Sequence, residues 1–167
     1  ELTRLLAQVC QAPIAIISFI DSQRQWNKSQ VGLILKEIPR HQSICAYTIL
    51  EEEGLVIEDC VADTRFASTP LVMGAHGIRF YAGAPLRTSE GLAVGCVAVM
   101  DTRPRTITKE TKSAIQTIAR QAAAQLALRR TLLDLQQKHS QTQFVLRETQ
   151  SVYHSLVESL PQNIFRK

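Results

Sequence analysis

Two apolar runs near the middle of the chain, 78–87 and 92–100, flank the turn formers Thr88, Ser89, Glu90 and Gly91 and predict a β-hairpin. Side chains alternate between faces along a strand. Ile78, Phe80, Ala82, Ala84 and Leu86 therefore fall on one face, and Arg79, Tyr81, Gly83 and Pro85 on the other. In the second run both alternating sets are apolar: Leu92, Val94, Cys96, Ala98 and Met100 against Ala93, Gly95, Val97 and Val99. A sheet wetted on one side carries polar residues at every second position, so both faces of this hairpin must be covered. The pattern predicts a layered α/β domain of the α+β type, a central antiparallel sheet with helices on both faces.

The flanking segments supply those layers. Leu2, Leu5, Leu6 and Val9 recur at helical spacing until Pro13 ends the pattern. Ile14–Ile20 is too short for a helix and reads as a buried central strand, with 24–31 hairpinned back on it as a polar edge strand. A loop to Pro39 follows. Next come a short helix over 43–50 with Ile44, Cys45, Tyr47 and Thr48 inward, a short strand over 55–58, and an irregular stretch to Gly77 with helical turns near 63–66 and 70–73. Thr108 is a good N-cap with Glu110 in the first turn, and from there to 160 there is neither Gly nor Pro. Such a helix would run about 75 Å. Ile115, Ile118, Ala119, Ala122 and Leu126 give its first half a face for the sheet. Its second half keeps a heptad-spaced stripe: Leu132, Leu135, His139, Thr142, Leu146, Thr149, Tyr153 and Leu156. A parallel homodimer through this coiled-coil helix would bury the stripe. The expected division is a core over 1–107, the long helix over 108–160, and a further module beginning at 161–167.

Composition narrows the class of function. The chain is 45% apolar and 20% charged, in the range of globular domains, and its net charge of +4 is spread from Arg4 to Lys167. The densest basic run, Arg103 and Arg105 with Lys109 and Lys112, lacks interleaved aromatics, so neither nucleic acid nor a membrane surface is an expected partner. No signal peptide or membrane-spanning run is evident, which points to the cytoplasm. Cys10, Cys45, Cys60 and Cys96 share no CxxC spacing and read as small buried hydrophobes in a reducing compartment. The chain starts already inside a helix pattern, which suggests a piece of a longer protein.

Three segments, taken together, resemble one family. They are Ser18–Gly32, Asp63–Phe66 with Pro70-Leu71-Val72, and Ile78–Leu86 continued by Gly95–Asp101. In order and spacing they are similar to a GAF domain of the kind found in bacterial sensor histidine kinases and diguanylate cyclases, over about residues 1–130. The stretch from Ser151 to Lys167 resembles the opening of a PAS domain, and the long helix the linkers that join such sensor modules. The resemblance implies a sheet with terminal helices on one face and loops and short helices on the other, where a ligand, when one exists, is held.

Specific chemistry is sparse. There is no phosphate-binding glycine loop. Relatives that attach a bilin use a cysteine in the region corresponding to 62–77, and none stands there; Cys60 is followed by Val61, not His. His41, His76, His139 and His154 are far apart, and His41 with Cys45 supplies two ligands where a closed metal site needs four. No cofactor or metal is expected. The candidate ligand residues are Arg79, Tyr81, Trp26, His41 and Cys45. Arg79 leads because a guanidinium on a concave face suits an anionic effector, while an ion pair with a carboxylate such as Asp63 is the competing role. The expected function is that of a non-enzymatic sensory module relaying a signal, with or without an unknown small-molecule effector, through a dimeric helix to PAS and output domains. Two alternatives stay open: a dimerisation spacer without ligand, and a thiol-dependent reductase similar to the GAF-fold free methionine sulfoxide reductases, using Cys45, Cys60 or Cys96.

Overall fold

The structure, a computed structural model, describes residues 1–159; the expected PAS opening at 161–167 lies outside the described residues. Six strands form one antiparallel sheet: β1 (Ile14–Ile20), β2 (Arg24–Val31), β3 (Glu37–Pro39), β4 (Leu55–Ile57), β5 (Phe80–Arg87) and β6 (Ala93–Asp101). Their order is β3-β2-β1-β6-β5-β4. β1, the most apolar short run, pairs with both β2 and β6 and sits centrally, as its unbroken hydrophobicity requires.

Each sheet face carries its own core. On one side, α1 (Leu2–Val9) and the first half of α4 (Lys109–Ser159) cover Ala15, Ile17, Phe80, Ala82, Ala84, Leu86, Val97 and Val99. α4 contributes Ile115, Ile118, Ala119 and Ala122, with Leu126 partly buried, the face that its spacing predicts. Thr108 caps α4 by accepting from the Thr111 N–H at 3.2 Å. On the other side, α2 (Ile44–Thr48), α3 (Pro70–Met73) and the intervening loops cover Ile16, Tyr81, Cys96, Ala98 and Met100. Ser43 caps α2, accepting from the Ala46 N–H at 2.9 Å, and Pro70 opens α3 at the position where a missing N–H costs nothing.

Several expectations need correction. β3 occupies the end of the segment expected as loop, with a 3₁₀ turn over Arg40–Gln42 after it, so β2 is not an edge strand. Three residues of β3 carry too little periodicity to be read. Ile78 packs with Tyr81 on the α2 side instead of sharing a face with Phe80, because regular pairing in β5 begins only at Phe80. Val94 leans toward the α4 side, next to the register shift between Leu86 and Arg87. α1 buries Thr3 and Leu6, while Leu5 and Val9 remain about half exposed. Tyr47 points outward and packs edge-on against Phe66 at 5.0 Å.

A side chain from the β6–α4 loop fastens the helical layer. Arg105 donates to the Cys10 carbonyl at 3.1 Å and the Gln11 carbonyl at 3.0 Å, the free acceptors at the end of α1. It also meets Asp101 at 3.3 Å and lies over the Phe80 ring at 5.5 Å.

Residues 1–127 form one compact unit and the helix from Leu128 onward a second. Within the second unit Leu132, Leu135, Leu146, Tyr153 and Leu156 are all more than half exposed. Thr142 and Thr149 turn their hydroxyls to the carbonyls of Lys138 and Val145, so neither needs a polar partner elsewhere. His139 meets Gln143 at 2.9 Å. Exposed Val145, Val152 and Val157 widen the stripe beyond the heptad positions read from the sequence.

Candidate functional site

Beneath α2 lies a buried polar cluster in an otherwise apolar layer. Tyr81 on β5 is fully buried and brings its hydroxyl 2.6 Å from Thr48 Oγ1, 3.4 Å from Cys45 Sγ and 3.7 Å from Cys96 Sγ. Ser18 Oγ on β1 completes the group at 3.5 Å from Cys96 Sγ. Thr48 also donates back to the Ile44 carbonyl at 3.3 Å. Among the described residues no buried side-chain polar atom lacks a partner, which is what makes this burial affordable. Gly83 is part of the arrangement: a Cβ there would sit 2.6 Å from the Tyr81 hydroxyl, so the ring lies where a side chain would be.

Electrostatics divide the thiols. Burial opposes ionisation of Cys45, but hydrogen bonds with Cys96, Tyr81 and Ser18 outweigh it and hold the Cys45 thiol below its ordinary value. Burial, together with Cys45, pushes both Cys96 and Tyr81 well up. Cys60 is pushed up to about 11 by burial and by the neighbouring carboxylates of Asp59 and Asp63. Cys10, on the opposite face, is raised by burial, with Arg105 pulling against it. All four cysteines are buried and none is in a disulfide.

The expected site residues separate. Tyr81 and Cys45 come together in this cluster. Arg79 does not join them: it precedes β5 and binds Asp59 through both carboxylate oxygens, at 2.8 and 2.7 Å. That pairing holds the Asp59 carboxyl below its usual range. The carboxylate is Asp59 and not Asp63, which instead pairs with Arg65 at 2.6 Å. Trp26 is on the other side of the sheet, cross-strand from Phe19 with ring centroids 4.9 Å apart. His41 is exposed in the 3₁₀ turn and Cys45 is buried, so they make no i,i+4 pair. His41 instead borders an open hollow of about 570 Å³ outside α2, with Gln23, Arg40 and Tyr47. No group of three or more His, Cys, Asp or Glu among the described residues could hold a metal ion.

Sequence reasoning missed Thr48 as a partner of Tyr81 and Ser18 as a partner of Cys96. The one available signal was polar residues at inward positions: Ser18 in an apolar run and Thr48 on the inner face of a short helix. A larger groove, of about 650 Å³, runs on the α4 side between Leu50, Glu53, Arg87, Gln116 and Arg120 over a floor of Ala84 and Ala119. No helix among the described residues is long and apolar enough to cross a membrane.

The fold is shared widely. A domain from a two-component sensor histidine kinase of Sinorhizobium meliloti superposes with a TM-score of 0.63 at 16% identity, over 81% of this chain and 92% of that one. A type II free methionine-R-sulfoxide reductase from Thermoplasma acidophilum superposes with a TM-score of 0.57 at 14% identity, over 74% and 94%. At these identities the likeness is one of fold. In sequence, 95 residues are 48% identical to a cyclic di-GMP phosphodiesterase of Pseudomonas aeruginosa, spanning 57% of this chain but only 16% of that protein. The GAF domain model matches residues 1–126, the sheet with both its layers and the first part of α4. The chain therefore belongs to the GAF domain family.

Proposed function

We propose that this chain is a non-enzymatic sensory or regulatory module of a larger cytoplasmic signalling protein, whose long helix dimerises and passes a signal to PAS and output domains that follow. The observation that carries the reading is α4 itself. One uninterrupted helix, Lys109–Ser159, is core-packed through Ile115, Ile118, Ala119 and Ala122 and then bears exposed Leu132, Leu135, Leu146, Tyr153 and Leu156 at heptad positions. A change in the sheet that repacks the first part alters the rotation or register of the paired second part. The sequence relationship to a cyclic di-GMP phosphodiesterase, in which the matched region is a small part, supports a regulatory rather than a catalytic role for it.

A dimerisation spacer without ligand is the second reading, favoured by how completely Ile44, Phe66, Tyr81 and Met100 fill the layer under α2. Insertions after Lys138 in the parent protein separate the two. Seven residues restore the facing of a heptad stripe, whereas four introduce a stutter that turns the downstream helix. A relay predicts near-normal regulated output with seven and output locked high or low with four. Undiminished regulation with both overturns the relay and favours the spacer. A monomer in sedimentation of this chain at tens of micromolar would overturn both.

A further inference from the structure

We propose that Cys45 and Cys96 form a peroxide-responsive dithiol pair, oxidised to an internal disulfide that fastens α2 to β6. Its use as a signal rests on the sensory reading above; its chemistry does not. The two sulfurs come from different layers, α2 and the sheet, and both lie against the Tyr81 hydroxyl, at 3.4 and 3.7 Å. α2 packs directly on β6, with Ile44, Cys45 and Thr48 buried on its inward side. A disulfide needs such close approach of the two backbones.

The surroundings favour this pair over the other two thiols. Tyr81 donates its hydroxyl hydrogen to the Cys45 sulfur, which stabilises a developing thiolate there, and Ser18 lies within hydrogen-bond distance of Cys96. Cys60 has Asp59 and Asp63 beside it, which oppose one, and Cys10 is in the core on the opposite face. Cys45 is only 2% exposed, yet α2 is five residues long and its exposed Tyr47 borders the open hollow. A local opening of α2 gives hydrogen peroxide a short path.

The electrons balance in two steps. The Cys45 thiolate attacks one peroxide oxygen, the O–O bond breaks, and the departing hydroxide leaves as water with the thiol's proton; Cys45 is then a sulfenic acid. Cys96 sulfur attacks Cys45 sulfur, the S–O bond breaks, and the Cys96 proton leaves with that hydroxyl as a second water. Two thiols are oxidised, one peroxide is reduced to two waters, and a dithiol reductant reverses the change.

The test is peroxide titration of the folded, reduced 167-residue chain, followed by alkylation under denaturing conditions and non-reducing peptide mapping. The expected result is a fall from four alkylatable thiols to two, with a single cross-link joining the Cys45 and Cys96 peptides. In Cys96→Ser the cross-link should vanish and a dimedone adduct appear at Cys45. Because that variant sits in a packed core and is at risk of misfolding, the wild-type map decides alone. Four thiols surviving peroxide, or a cross-link that involves Cys10 or Cys60, overturns the proposal. Either result leaves the helical relay standing, since the insertion experiment tests that separately.

Discussion

Arg105 offers the sharpest test of how the helical layer is held. In Arg105→Ala the carbonyls of Cys10 and Gln11 lose their donor, Asp101 loses its cation, and the Phe80 ring loses the guanidinium over its face. A hydrogen bond from a charged donor contributes about 1.5–3 kcal/mol when well shielded. Arg105 is 29% exposed, so the lower end applies. The cation at the end of α1 adds roughly 0.3–1 kcal/mol and its ring contact roughly 0.5–1. These overlap, being one side chain, so the expected loss is about 2–3 kcal/mol. At the size of this unit that lowers Tm by roughly 10 °C. Urea unfolding followed by Trp26, the sole tryptophan, reports on this unit directly. The midpoint should fall with an unchanged slope. Arg105→Lys keeps the charge but cannot fork between two carbonyls, so it should recover about half of the loss. A loss below about 0.5 kcal/mol for alanine, a value typical of ordinary surface substitutions, or a lysine variant as stable as wild type, would refute the account of Arg105 as a two-pronged latch.

Two further outcomes follow from the geometry. Gly83→Ala should destabilise by about 1–3 kcal/mol through overpacking, and by less in a Tyr81→Phe background, because the hydroxyl 2.6 Å from the new methyl is then gone; additive losses in a double-mutant cycle would mean that the ring does not occupy that space. Arg79 depresses the Asp59 carboxyl, so the pair stabilises the fold above the ordinary aspartate value of 3.8 and loses that contribution as pH falls below it. Wild type should therefore hold a small stability advantage over Asp59→Asn at pH 6 that disappears toward pH 3, and an advantage independent of pH would assign it to shape instead of charge.

The layered sheet was legible in the sequence because β5 and β6 are apolar on both alternating sets, a pattern that only two covering layers can satisfy. The sheet-packing face of α4 was equally legible from a helical period sustained over several turns. β3 was not, since three residues cannot show a period of two. The division of Tyr81 from Trp26 was also hidden. Both are aromatic residues in strands, and their faces follow from a cross-strand register, Phe19 opposite Trp26, that no local pattern encodes. Arg79 misled for a related reason. Its charge suggested an anion, but its anion is Asp59, twenty residues away in sequence and brought there by the backbone pairing of Cys60 with Arg79. The thiol cluster is a meeting of three strands and a helix, and only the tertiary structure reveals it.

That cluster and the helical layer are back to back on the same strand. Along β6, Cys96, Ala98 and Met100 face α2 while Val97 and Val99 face α1 and α4. Close-packed layers respond to displacement by repacking rather than by yielding smoothly. A pull on Cys96 from α2 therefore reaches Val97 through one backbone bond, and Val97 belongs to the core that contains Ile115 and Ile118. At the far end of the same strand Asp101 meets Arg105, which grips the end of α1. β6 is thus the element through which an event beneath α2 would be felt by both helices at once. β1 and β5 also carry residues of both cores, but β6 is the strand that runs from Cys96 to Asp101. The relay and the dithiol proposal consequently share one structural requirement, a β6 that moves as a unit, and the Arg105 latch is what would convert that movement into a change at the root of α4.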